Sequence, residues 1–262
     1  MAQTTFVRSL QIQRQVWHAL LMREVITRFG RENLGVLWMI GEPMIFTLGV
    51  MALWSAAGMS HGSSLPIVAF AITGYSSVLV WRNTVNRCNS GIQQNLSLLY
   101  HRNVRVLDVF VTRILLEVSG ATASFVLLTI AFLALEWITV PVDLLTVVSA
   151  WLLLCWFGGA LAILIGAASA YSELVDRLWH PAAYLLFPLS GAAFMVDWLP
   201  PAGRDVVLLL PMVHGTEMVR EGFFGGVVTT YHDPAYLVVC NLVLTLLGLF
   251  VLRDAARRRG GK

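Results

Sequence analysis

The chain has 262 residues, 57% of them hydrophobic and 13% charged, with a formal net charge of +3. Such a balance excludes an ordinary soluble domain, and so small a net charge gives no case for a nucleic-acid partner. Cys88, Cys155 and Cys240 stand far apart without CxxC or metal spacing, so they read as free thiols.

Residues 1–33 open the chain as a cytoplasmic interface helix. On a helical wheel Trp17, Leu21, Met22, Val25, Ile26 and Phe29 sweep one half, while Arg23, Glu24, Thr27 and Arg31 fall opposite; Leu20 and Arg28 interrupt the pattern. A helix of this kind lies in the headgroup plane, apolar side down and arginines toward phosphates.

Six apolar runs follow within residues 34–252: Leu34–Ala57, Leu65–Trp81, Ile114–Leu135, Leu144–Tyr171, Pro181–Val196 and Ala235–Leu252. Crossing a hydrocarbon core of roughly 30 Å takes about 20 helical residues. The fold class expected is therefore an all-α membrane protein with six transmembrane helices. The first run begins after some thirty residues of mixed polarity, so it reads as an uncleaved insertion signal. With six spans, sixteen basic residues fall on one side, against Arg204 and Arg220 alone on the other. The positive-inside rule then puts both termini in the cytoplasm, including a basic tail over residues 253–262.

Two segments are not spans. Asn83–Leu107 is basic, with Arg87, Arg102 and Arg105 set against Leu96, Leu98 and Leu99, and is long enough for a helical hairpin. Asp197–Pro234 is too apolar for a loop yet is broken by Pro200-Pro201, Pro211 and Gly215, which suits re-entrant helices between spans five and six. Gly158, Ala162, Gly166 and Ala170 recur every four residues in span four and allow close helix approach, within one subunit or at a dimer seam. Pro43 and Pro188 are expected to kink their helices. No internal repeat is present, against an inverted-repeat carrier.

Lys262 is the only lysine. A phosphate-binding loop needs one against the nucleotide phosphates, so the chain is expected to be no ATPase and no enzyme. The six histidines lack ligand spacing, and no metal is expected. Of the acids inside the runs, Glu117 can pair with Arg113 four residues before it, and Glu42 lies beside Pro43. His214, Glu217 and Arg220 recur at i, i+3, i+6, as a network fastening the re-entrant helices or as a substrate contact. Tyr75, Tyr184, Phe187 and Phe194 lie deep in spans two and five. Rings there could face a sugar path, although for any single ring lipid contact or helix packing is the stronger reading.

The stretches Arg23-Glu24, Thr27-Arg28-Phe29-Gly30, Leu34-Gly35-Val36-Leu37-Trp38 and Glu42-Pro43 resemble the opening motif of ABC-2 type permeases, in particular those exporting capsular polysaccharide. Asn95, Leu98, Leu99, Leu107-Asp108, Arg113 and Glu117 match a second motif; Pro211, His214, Glu217 and Arg220 match a third, with Leu210 where the family has Asn. The resemblance implies a homodimer in the inner membrane carrying two copies of a separate ATPase subunit, which would bind the ATP and Mg. It further implies a periplasmic polysaccharide copolymerase, an outer-membrane channel and an anionic glycolipid-polysaccharide cargo. On this reading Arg23, Arg102 and Arg105 contact the ATPase, with the Ser172–His180 loop second. Arg28, Arg31, Arg82 and Arg87 form an electropositive loading zone, and Tyr75, Tyr184, Phe187 and Phe194 line the path. O-antigen, teichoic acid or a small molecule are alternative cargoes. A membrane glycosyltransferase or acyltransferase would need convergent acids or histidines at one membrane face, and an ion channel a ring of like charges or a filter loop; none is legible.

Overall fold

A computed structural model describes residues 6–29, 35–57, 65–95 and 104–260, whose regular secondary structure is entirely helical. The helices are α1 (Phe6–Phe29), α2 (Gly35–Ala56), α3 (Ile67–Cys88), the single turn α4 (Gly91–Gln94), α5 (Val106–Ala134), α6 (Leu144–Ala168), α7 (Glu173–Leu189), α8 (Pro201–Val207), α9 (Pro211–Phe224) and α10 (Pro234–Gly260). Four segments are long and apolar enough to cross a membrane: Leu37–Ala56, Val106–Ala134, Leu144–Ala168 and Pro234–Ala255.

The runs expected as spans two and five come out differently, for separate reasons. α3 is the central shaft, packed by α2, α5, α6 and α9. A helix walled by protein needs no lipid-facing surface, so α3 can carry buried Thr73, Ser76, Ser77 and Thr84. Three of these hydroxyls donate to the carbonyl one turn back: Thr73 to Ala69, Ser77 to Thr73 and Thr84 to Val80. α7 starts eight residues before the expected run and ends at Leu189, with Pro181 and Pro188 inside it. The chain then turns at Gly191, whose φ of +81° is a conformation that favours glycine. The Ser172–His180 stretch is accordingly not a loop. Ser172 caps α7 by accepting from the Leu174 N–H, and Glu173 and Asp176 in the first turn suit the positive helix end.

Helix ends follow the same chemistry elsewhere. Asp143 accepts from the N–H groups of Leu145 and Thr146 to open α6, and Asp233 accepts from those of Ala235 and Tyr236 to open α10. Asp108 receives the Arg105 N–H at 2.9 Å, so α5 begins at Val106, a turn or more before the apolar run at Ile114. α10 runs on as one helix to Gly260.

α6 meets α3 through its small residues. A Cβ on Gly158 would lie 2.8 Å from the Trp81 Cα, and one on Gly166 would lie 2.5 Å from the Cys88 carbonyl and collide with the Phe110 ring. At these two glycines the stripe is a seam within one chain. Gly166→Ala is expected to lower stability by about 1–3 kcal/mol through overpacking. Gly49→Ala, where a Cβ meets nothing within 4 Å, is expected to be close to neutral by comparison. Thermal unfolding of the two purified variants in one detergent checks the contrast.

Candidate functional site

Three polar or aromatic assemblies lie along the bundle. The first joins α1 to α5. The Trp17 indole donates to Asp108 Oδ1 at 2.9 Å, and the Gln13 amide donates to the same oxygen. Arg23 donates to Asn95 Oδ1 at 2.8 Å, just past α4. Arg113 is the hub: Nε donates to Glu24 at 3.0 Å, Nη1 to the Arg87 carbonyl at 2.8 Å and Nη2 to Gln94 at 3.1 Å. Arg87 Nε in turn donates to Glu117 at 3.1 Å. The pairing expected along α5 is thus exchanged: Arg113 reaches back to α1, and Glu117 is met by α3. The helix wheel is corrected likewise: Arg23, expected to face phosphates, donates to Asn95, and Glu24 accepts from Arg113, whereas Met22 and Ile26 remain exposed.

The second assembly lies between α2, α3 and α7. Arg82 places Cζ 5.2 Å from the Tyr184 ring centre and 5.3 Å from that of Phe187. Phe187 lies 5.8 Å from Tyr75 and 6.0 Å from Phe46, edge-on to the latter. Tyr75 meets Trp54 at 5.4 Å, Trp54 stacks on Phe70 at 5.9 Å, and Phe70 stacks on Trp198 at 5.4 Å. These contacts make a continuous column of rings with Arg82 at one end and Arg220 over Phe70 near the other. The hydroxyls of Thr47 and Ser76, each next in sequence to a column ring, are buried without a hydrogen-bond partner among the described residues. Beside the Arg82 end an open cavity of about 150 Å³ is lined by Glu42, Asn83, Asn86, Arg87 and Glu117.

The third assembly is at the opposite end, on α9. Arg220 is fully buried; Nη1 donates to the carbonyls of Gly191 at 2.7 Å and Phe194 at 2.6 Å, and Nη2 to that of Ala192 at 2.8 Å. Its Cζ sits 3.9 Å from the Phe70 ring centre, and Nη1 is 3.9 Å from Glu217 Oε1. Glu217, also fully buried, accepts from the N–H groups of Val196 at 3.3 Å and Tyr231 at 3.2 Å. His214 Nδ1 accepts from the Asp233 N–H at 2.9 Å, which leaves the proton on Nε2 to donate to the Leu208 carbonyl at 2.7 Å. One helix face therefore ties down the turn after α7, the end of α8 and the approach to α10.

The family described as ABC-2 type transporter matches residues 15–224. The chain belongs to the ABC-2 type transporter family. It is 47% identical over 249 residues to the capsule polysaccharide export inner-membrane protein CtrC of Neisseria meningitidis serogroup A, covering 95% of this chain and 94% of that one. Identity to the capsule polysaccharide export inner-membrane protein BexB of Haemophilus influenzae is 43% over 255 residues, 97% of this chain and 96% of that one. The polysialic acid transport protein KpsM of Escherichia coli is 26% identical over 93% of this chain and 94% of its own length.

In this ABC-2 chain the residues singled out from sequence divide as follows. Arg82, Tyr75, Tyr184 and Phe187 come together in the ring column, while Phe194 packs apart from it against Val196, Val207 and Val213. Arg87 borders the cavity and is paired with Glu117. Arg31, Arg102 and the side chain of Arg28 lie outside the described residues. Arg23 is committed to Asn95, and Arg105 is exposed next to the Asp108 cap. Among the described residues no cluster of three or more His, Cys, Asp or Glu could hold a metal ion. Sequence reasoning leaves Asp108, Gln94, Trp54 and Phe46 without a role. The second motif does contain Asp108, but nothing in its spacing announces a partner on α1 ninety residues earlier.

Proposed function

We propose that this chain is the membrane-spanning subunit of an ATP-driven exporter of capsular polysaccharide. Near full-length similarity to CtrC and BexB carries the reading. In the proposal α3 and α7 join the four apolar helices as spans, giving six, with both termini cytoplasmic and α8–α9 re-entrant from the outer side. The chain works in the inner membrane as a homodimer, because the ring column has open flanks: Tyr184 is 69% exposed, and a second copy would close them. Two copies of a separate ATPase subunit, holding ATP and Mg, dock beneath α1 and the segment around Arg105. A periplasmic copolymerase and an outer-membrane channel continue the route.

Chemistry supports the column as the path. Sugar C–H faces stack on aromatic rings without strong binding, and a moving polymer must release each contact it makes. Arg82 supplies the charge at the loading end, where it attracts an anionic lipid-linked terminus from within about a Debye length of 8 Å. Expression of the chain with its ATPase in a bacterium deleted for its own capsule-export permease is expected to restore surface polymer. Arg82→Ala is expected to cut export at least ten-fold while the complex still co-purifies. Polymer retained inside cells that hold the intact complex would show that the cargo is another molecule.

A further inference from the structure

We propose that Thr47 of α2 and Ser76 of α3 are a hydroxyl contact for the passing sugar, uncovered when the seam between those two helices opens. The proposal rests on the exporter reading above and names the side chains that meet the cargo's hydroxyl groups beside the ring column.

The two hydroxyls share one level of the bundle. Phe46 and Tyr75, their neighbours in sequence, approach to 6.0 Å between ring centres and set α2 against α3. At about 1.5 Å of rise per residue, Thr47 and Ser76 therefore stand at nearly the same height. Thr47 belongs to the inner stripe of α2 with Pro43, Met51 and Trp54 and is 1% exposed; Ser76 is 4% exposed.

Neither hydroxyl has a hydrogen-bond partner among the described residues. α3 itself offers such partners, since Thr73, Ser77 and Thr84 each donate to the carbonyl one turn back. Ser76 leaves the equivalent carbonyl of Ile72 unused, and Thr47 that of Pro43. A buried hydroxyl left unbonded costs free energy, so folds pair it or replace it. An alanine or a valine in those places would keep the packing without that cost. Two such groups at one level of a ring column are accounted for by a second state in which they are bonded.

Cargo chemistry fits that state. A pyranose has C–H faces and a rim of hydroxyls. Phe46, Tyr75 and Phe187, in mutual contact, take the faces. Thr47 and Ser76 each bring one donor and two acceptor lone pairs to the rim. Single neutral hydrogen bonds are weak enough for a polymer to move on.

Of the two helices α2 is the one free to move. α3 is walled by four helices, whereas α2 exposes Leu37, Ile45 and Leu53 along one side. Pro43, one turn before Thr47, has no N–H for the Met39 carbonyl, which weakens α2 where it would bend.

Stability and export should move in opposite directions. Ser76→Ala and Thr47→Val are each expected to raise the unfolding midpoint by about 2–4 °C, since each removes an unbonded buried hydroxyl. Together they are expected to lower surface polymer about five-fold in the permease-deleted strain, as the loss of two weak hydrogen bonds implies, with the ATPase still co-purifying. Thr47→Ser keeps the hydroxyl and is expected to keep export. Lowered midpoints in both single variants, or unchanged export in the double variant, would overturn the contact. Ser76→Cys tests the opening without reference to cargo. In the chain reconstituted with its ATPase, peptide mass spectrometry should find N-ethylmaleimide adding at that position several-fold faster during ATP turnover than without ATP. Turnover-dependent labelling and raised midpoints in a chain that restores no surface polymer would sink the exporter reading and leave the opening seam standing. Restored polymer without labelling would do the reverse.

Discussion

Arg220→Ala is expected to remove most of the folded chain from the membrane. The side chain donates to three carbonyls of the turn after α7 and lies beside Glu217, and both charged groups are fully buried. Taking one partner from a buried pair costs about 3–5 kcal/mol, because the other charge remains uncompensated. Against a total stability of roughly 5–15 kcal/mol that is enough to depopulate the native state. Arg220→Lys is expected to rescue little, since a compact ammonium cannot reproduce a planar fork spread over three carbonyls and laid on Phe70. Arg220→Met with Glu217→Gln should recover part of the loss, because neither partner is then a stranded charge. Size-exclusion profiles and unfolding midpoints of the detergent-solubilised variants give the readout. If Arg220→Ala accumulates normally with an unchanged midpoint yet fails to export, the network is a cargo contact and not a fastening.

The difference between helix surfaces that face lipid and those that face protein decides how much of the fold is legible in the sequence. The apolar runs of α2, α5, α6 and α10 are legible because lipid contact imposes hydropathy on the whole helix surface. α3 is legible as an apolar stretch but not in extent: its last two turns carry Asn83, Asn86 and Arg87, which a window tuned to lipid treats as the end of a span. Two of them meet partners on neighbouring helices, Asn86 with Trp179 of α7 and Arg87 with Glu117 of α5. The start of α7 is hidden for a related reason, since Glu173, Asp176 and Arg177 look like a loop until Ser172 is recognised as a cap. Arg113 and Glu117 show the limit of local reasoning. Spacing of four permits a pair along one helix, but the burial of α5 against α1 and α3 offers each a partner with better geometry. The ring column is half visible: Tyr75, Tyr184 and Phe187 stand out by depth, whereas Phe46 and Trp54 look like lipid-facing residues, and Phe194 shares the depth without joining the column. Depth is a property of sequence position, but which side a ring faces depends on how the helices pack.

Arg113 is also where motion of α1 would reach the path, and its variants give the second large expected effect. If ATP-driven closure of the docked subunits displaces α1, Glu24 carries the movement to Arg113, Arg113 to the Arg87 backbone, and Arg87 to Glu117 on the cavity wall. Arg113→Lys keeps a positive charge beside Glu24 and so avoids stranding a half-buried carboxylate, but a single ammonium cannot hold Glu24, Gln94 and the Arg87 carbonyl together. The expected result is a chain that accumulates, assembles with its ATPase and allows hydrolysis, yet exports about ten-fold less polymer per ATP, equivalent to about 1.4 kcal/mol of lost coupling. Glu24→Gln keeps the hydrogen bond and loses its charge assistance, so its effect should be smaller in the same direction. Combining the two should add little beyond Arg113→Lys alone, because both act on one chain of contacts. Polymer exported per ATP hydrolysed, measured on the reconstituted complex, reads this directly. Fully additive losses would place Glu24 and Arg113 on separate routes. An unchanged ratio for Arg113→Lys would move coupling away from α1, toward the first turns of α7, where Asp176 accepts from Asn89 and Ser90 at 2.6 Å each.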